Sequence, residues 1–200
     1  MTASQRNGWA ISNVSNSAAR AITLNAGGGT FDTNGFDSTI NQGIAGVGGL
    51  TKAGNGTLTL LGVNTYKGGT KVTGGAIKGK LPSTGSIVLD GGTIDLANGT
   101  LTVDSLSGRG GTLNLGSNTL VIDQDGDTIF AGALTGSGAL VKRGKGTLTL
   151  SGANTLTGTT TVSAGRLSIT GSLASDVTVG PGGKVDGNGA ITGRVSPSSP

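Results

Sequence analysis

The sequence has no cysteine, no histidine and no glutamate, so its ten acidic residues are all aspartate. Without cysteine there are no disulfides and no thiolate metal sites, which suits a chain that crosses an oxidising compartment without mispairing. Without histidine there is no Ser-His-Asp triad, no Cys-His pair and no imidazole-bound metal. Paired-carboxylate hydrolysis would rest on Asp alone. Aromatic residues make up 2% and charged residues 12% of the 200 positions. No 18-residue apolar run occurs, and the opening MTASQRNGWAISNVSNSAARAITL holds no apolar run of signal-peptide length. The segment is therefore expected to carry neither export signal nor anchor. Met1, the only methionine, and the uncapped stretch Arg194 to Pro200 read as the bounds of an excised piece.

Glycine, at 41 of 200 residues, is what the chain has most of. At about 1 kcal/mol per internal Gly no long helix survives this spacing. The 34% of hydrophobic residues fall in short alternating runs of Leu, Ile and Val, the period of strands with one buried face. An all-β chain follows. Its net charge is +4, but the 14 Lys and Arg are dispersed singly. There is no clustered basic face and no aromatic stacking platform, so nucleic acid is not an expected partner.

One stretch occurs twice. Gly48 to Ile77 reads GGLTKAGNGTLTLLGVNTYKGGTKVTGGAI, and Gly138 to Leu167 reads GALVKRGKGTLTLSGANTLTGTTTVSAGRL. At an offset of 90 they share 16 of 30 positions without a gap, among them Lys52/142, Gly54/144, Asn64/154 and Gly75/165. Asp37/127, Ile44/Leu134 and Gly46/136 extend the duplication upstream. Each copy reads strand, corner, strand: Gly-x-Gly-Thr-Leu-Thr-Leu alternates, Gly-x-Asn-Thr-x-x-Gly supplies residues tolerant of turn and left-handed angles, and Thr-x-Val-x-x-Gly-x-Ile/Leu resumes. The shared Gly and Asn are assigned to corners, the shared Leu and Val to the core.

Between and after the copies lie further strands of three to five residues, such as Ser86 to Asp90, Thr100 to Val103 and Thr119 to Ile122. They are too short for isolated hairpins and no helices separate them. A parallel β-helix (β-solenoid) solves both problems, with each strand paired to its equivalents one coil above and below. At ~20 to 25 residues per coil, the 90-residue period would be about four coils and the chain about eight or nine. A flat sandwich is the alternative, but its strands would be longer and joined by tight hairpins. Residues 1–200 are read as one β-helical segment, with Trp9 either plugging an end of the apolar column or simply packed.

Two sets of carboxylates invite a functional reading. Asp90, Asp95 and Asp104 could meet on neighbouring coils as a polysaccharide-cleaving set, although each stands beside Gly or at a strand end, where Asp serves turns. Asp123, Asp125 and Asp127 alternate as calcium ligands do. Their Gly stands at the fourth position of that loop and Leu134 at the twelfth, where Ca²⁺ needs a bidentate carboxylate, so a solvated corner is the preferred reading. No catalytic, cofactor or metal residue is assigned.

The repeated unit resembles the passenger-associated transport repeat of bacterial autotransporters, whose pattern is close to Gly-x-Leu-x-Lys-x-Gly-x-Gly-Thr-Leu-Thr-Leu-Ser-Gly-x-Asn-Thr-Tyr-x-Gly-x-Thr-x-Val-x-x-Gly-x-Leu. The first copy departs at Leu61 and ends in Ile77, and the second has Leu156 where the first has Tyr66. The resemblance implies a passenger segment of a type V secreted protein, a right-handed parallel β-helix exported through its own C-terminal outer-membrane barrel to the cell surface or medium. It also implies a structural stalk whose repeats assist translocation and folding, without cofactor, without membrane insertion of this segment, and monomeric. An adhesive surface for a host glycan or protein is the alternative function. Loops much longer than a coil, or an exposed apolar patch, would favour it.

Overall fold

Residues alternating at period two can bury one face only if something covers it, and strands of three to five residues find that cover by stacking on their own equivalents. A computed structural model describes residues 21–198. Trp9, Ile11 and Val14, including the proposed end plug, lie outside the described residues. All strand pairings among the described residues are parallel, and no helix occurs there. The described residues form the β-solenoid expected from the repeats.

The chain winds as a three-sided coil. A first face begins with Ile22–Leu24 and Ile44–Gly46, continues through 65–67, and higher up holds Thr100–Val103, Thr119–Asp123 and Leu140–Arg143. A second face stacks Gly29–Asp32, Leu50–Ala53, Thr70–Val72, Ser86–Leu89 and Ser105–Ser107. The Gly108↔Phe130 bridge carries it on to Thr128–Phe130 and then Thr147–Leu150. A third face stacks Ser38–Ile40, Thr57–Leu60, Ala76–Gly79, Thr93–Leu96, Thr112–Asn114 and Ala133–Thr135. Near the end, Thr160–Ile169 and Val177–Asp186 each run continuously around one corner, with a bulge between Val162 and Ala164. Nine coils result, the upper of the two expected counts.

The inward residue of each strand stacks on the inward residue below. Leu58, Ile77, Ile94, Leu113 and Leu134 form one such column, and Leu101, Leu120 and Leu140 part of another, all with 1% exposure or less. Each fully buried Leu or Ile contributes about 1.5–3 kcal/mol, and the columns merge into a single core.

Two expectations need correction. Register offsets run from 17 residues (Thr70↔Ile87) to 22 (Ile22↔Ile44), shorter than the 20 to 25 anticipated. The 90-residue period is also not four coils. Climbing the second face from Leu50, five coils lead through Thr70, Ile87, Leu106 and Thr128 to Leu148. Leu140, the true equivalent of Leu50, lies one face earlier, on the first face. The period is therefore about four and two-thirds coils, and the second copy is turned by one face relative to the first.

Candidate functional site: polar clamps inside the repeat

Alternation places Lys52 inward, in register between Phe31 below and Val72 above. Its side chain is fully buried. The ammonium lies at the corner after Leu50–Ala53 and donates to Ala53 O (2.6 Å), Gly54 O (2.7 Å), Gly74 O (3.2 Å) and Thr33 Oγ1 (2.9 Å). Thr33 belongs to the coil below and Gly74 to the coil above, so one side chain ties three successive coils. The Thr33 hydroxyl donates to Ala53 O and accepts from Gly56 N. With four acceptors around it, a protonated amine with three N–H groups, one of them shared, fits better than a neutral one with two. Burial still draws the Lys52 pKa below 10.5, opposed by the charges of Asp32 and Asp37.

Room for that ammonium explains one shared glycine. Gly75 has φ +65°, and a Cβ there would lie 2.7 Å from Lys52 Nζ and 2.3 Å from both Gly54 O and Gly56 O. Gly62 and Gly68 have another reason. Neither is left-handed, but a Cβ at Gly62 would meet the Gln42 carbonyl carbon at 2.2 Å and one at Gly68 would meet Gly49 N at 2.3 Å, so these corners are tight stacking points.

The shared Asn is a second clamp. It was expected to supply a turn conformation, yet Asn34 is the only non-Gly residue with positive φ among the described residues. Asn64 is instead 7% exposed; its Oδ1 accepts from Ile44 N (2.9 Å), and its Nδ2 donates to Gly62 O (3.2 Å) and Lys80 O (2.7 Å). Asn154 repeats this with Leu134 N (2.9 Å), Gly152 O (3.0 Å) and Ser172 O (2.9 Å). Each Asn therefore joins three coils. A third device is the corner carboxylate: Asp37 Oδ1 accepts from Thr57 N and Asp127 Oδ1 from Thr147 N, both at 2.7 Å. Those backbone N–H groups hold both carboxyls below their ordinary range.

The copies differ where the sequence differs. Lys142, also fully buried, donates to Arg143 O and to Gly144 O (3.1 Å) only. Gln124 from the coil below does the rest, its Nε2 donating to Gly126 O (3.0 Å) and Thr147 O (2.8 Å). In the first copy the buried Tyr66 hydroxyl pairs with Thr70 Oγ1 at 2.6 Å. In the second, Leu156 has no hydroxyl, and Ser175 Oγ meets Thr160 Oγ1 at 2.6 Å instead. At the position equivalent to Ser175 the first copy has Gly85.

The tempting carboxylates are not brought together. Asp90 follows the second-face strand Ser86–Leu89 and pairs with Lys71 Nζ at 2.9 Å; Asp95 sits on the third face and accepts from Asn114 Nδ2 at 3.0 Å; Asp104 accepts from Gly85 N at 3.0 Å. Asp125 accepts from Lys145 N at 3.1 Å, beside Asp127 and its Thr147 bond. Among the described residues no three acidic side chains are grouped to hold a metal ion. Among the described residues the coils carry no long loops; of the exposed apolar residues Phe36 and Val47 stand at separate corners, while Leu61 and Val63 share one.

Fold and clamps together define a β-solenoid segment whose repeated unit carries its own internal polar fastenings. Residues 50–78 and 140–169 match the passenger-associated-transport-repeat family. Over 190 residues the chain is 37% identical to the adhesin BmaC autotransporter of Brucella suis biovar 1 (strain 1330), an alignment that covers 90% of this chain and 5% of that adhesin. No solved structure matches it. The chain is an autotransporter passenger segment with two passenger-associated transport repeats, and it spans about a twentieth of the length of the relative it matches.

Proposed function

We propose that this segment is a non-enzymatic stalk of a surface-exposed or secreted passenger, and that its repeats drive coil-by-coil folding during passage through the outer membrane. The partner in that passage is a C-terminal barrel of the same polypeptide. The observation that carries the reading is the three-coil reach of Lys52, Asn64 and Asn154. A clamp that closes only when the next coil docks makes each step favourable and local, and disfavours unwinding of coils already outside. Two such units, 90 residues apart, would anchor the growing rod at intervals.

The test is surface display of the full-length parent with Asn64→Ala and Asn154→Ala combined, read as passenger accessible to external protease. Display is expected to fall, with passenger retained in the periplasm. Normal display by a variant whose isolated segment is measurably less stable would sink the proposal. The adhesive reading has one observation in its favour, the name of the relative, an adhesin. It predicts binding of the purified segment to host cells or matrix.

A further inference from the structure

The second face carries a continuous trough that the clamps do not use. At one end a cavity of about 310 Å³ lies against Gly28, Gly49, Gly69, Thr51, Lys71 and Val88. A second depression, sharing Val88, continues over Asp90, Ser107, Arg109 and Ile129. The outward positions Thr30, Thr51, Lys71 and Val88 are stacked in register, and Ser107 follows Val88. The trough thus runs along the rod axis, across the strands. It is shallow-walled for a local reason: Gly28 (φ +71°) and Gly69 (φ +83°) place bare backbone at the corner, and apart from Lys71 the outward side chains are short.

Apart from the exposed Asp32 at the lower end, charge on this face falls in two like groups. Asp90 pairs with Lys71 at 2.9 Å, and the bond to Lys71, with Arg109 further off, draws its carboxyl below the ordinary range. Higher up, Asp186 lies between Arg166, at 2.8 Å, and Lys184, at 3.6 Å. Each group has two cations for one carboxylate. Arg166 and Lys184 are in register with each other on the same face, four to five coils above Asp90, or ~20 Å at 4.8 Å per coil.

We propose that this face binds a linear acidic polysaccharide lying along the rod axis, its carboxylates or sulfates over the two cationic groups and its hydroxyls on Thr30 and Thr51 below the first group and on Ser107 and Thr149 above it. An extended peptide would need a free strand edge: Leu50–Ala53, Thr70–Val72 and Ser86–Leu89 under the trough are paired on both sides, and a peptide added at Gly29–Asp32, paired on one side among the described residues, would lie along the strand and so across the trough. A nucleic acid strand would need aromatic platforms, and none line the trough. A neutral sugar chain would leave the surplus cations unanswered. Guanidinium and ammonium groups facing sugar carboxylates or sulfates make charge-assisted hydrogen bonds that weaken with salt.

Binding of the full chain to polygalacturonate, dextran sulfate and neutral dextran would be measured by calorimetry at low and physiological salt. The acidic polymers are expected to bind and neutral dextran not. The pairs Lys71→Ala/Arg109→Ala and Arg166→Ala/Lys184→Ala should each weaken binding about tenfold or more, as loss of charge-assisted bonds implies. Arg143→Ala/Arg194→Ala removes the same charge from the first face and should change affinity little. Amide shifts in the unmodified protein should map to Thr30, Thr51, Val88 and Ser107, which keeps the test valid if a variant misfolds. Equal losses for both faces, shifts on the first face, or no binding of either acidic polymer at low salt would overturn the proposal. None of these outcomes bears on the clamps, so the stalk reading stands or falls separately.

Discussion

Replacing Lys52 by Met tests the clamp directly, because Met keeps most of the stem and removes only the ammonium. Four acceptors lose a donor. Ala53 O retains the Thr33 N–H at 3.1 Å, and Thr33 Oγ1 retains the Gly56 N–H at 3.1 Å. Gly54 O and Gly74 O keep no other protein donor. An orphaned carbonyl costs about 1–3 kcal/mol when buried, so these two, both partly buried, cost at most about 2–6 kcal/mol together. Relief from desolvating the charge offsets part of that, which leaves a net loss of about 1–4 kcal/mol. At an m-value of about 2 kcal/mol/M, the urea midpoint followed by far-UV circular dichroism should fall by roughly 0.5–2 M. Lys142→Met orphans Gly144 O, while Arg143 O keeps the Gln124 N–H at 3.4 Å, so it should cost about half as much. An unchanged or raised midpoint for Lys52→Met would refute the clamp, since it would mean that apolar filling of the site is at least as good as the cage of carbonyls.

Three further outcomes follow from the same geometry. Leu58→Ala and Leu148→Ala, at sites with 1% exposure or less, should each cost about 2–5 kcal/mol in the same denaturation assay, and an unchanged midpoint would remove them from the core. Gly75→Ala should cost about 2 kcal/mol or more, because its φ of +65° and the 2.3 Å approach to two carbonyls both resist a Cβ, whereas Gly27→Ala, with nothing within 4 Å, should be near neutral. The lowered pKa of Asp127 means that its carboxylate stabilises the fold above the unfolded value near 3.8, and that this contribution is lost as pH falls through the lowered folded value. Asp127→Asn keeps an acceptor for Thr147 N but no charge, so the stability gap from the unmodified protein should be full at pH 7 and close at low pH; a gap constant with pH would contradict it.

Fold class, duplication and the inward Leu and Val were legible because period-two alternation and a gap-free offset are properties of the string itself. The clamps were also written there in part. Lys52 follows Leu50 at strand spacing, so alternation alone points it inward with Val72. It went unassigned because a lysine at a core position needs a partner, and its partners are backbone carbonyls of other coils. Asn64 was read by its turn preference, while three-coil packing gave it a different task. The coil count per repeat could not be read at all: offsets that vary from 17 to 22 residues blur the third of a turn that separates four coils from four and two-thirds. The carboxylates looked like a cluster in sequence because coils bring distant residues together, but Asp90, Asp95 and Asp104 point from different faces or corners.

A repeat that is not a whole number of coils is intelligible once the clamps are seen as internal. Lys52 acts at the end of a second-face strand and Lys142 at the end of a first-face strand, yet each is fully buried and bonds its own corner carbonyls. That requires only that the corners of the triangular cross-section be interchangeable toward the core; their direction in space is immaterial. Apart from Thr57/147 and Thr59/149, the outward residues of the strands differ between the copies. Lys71 becomes Thr161, Leu61 becomes Ser151, Val63 becomes Ala153 and Ala53 becomes Arg143, while Lys52/142, Gly54/144, Asn64/154 and Gly75/165 stay. Turning each copy by one face therefore separates two requirements that an integral repeat would couple: the interior can keep one fastening pattern, and each face of the rod can acquire its own surface.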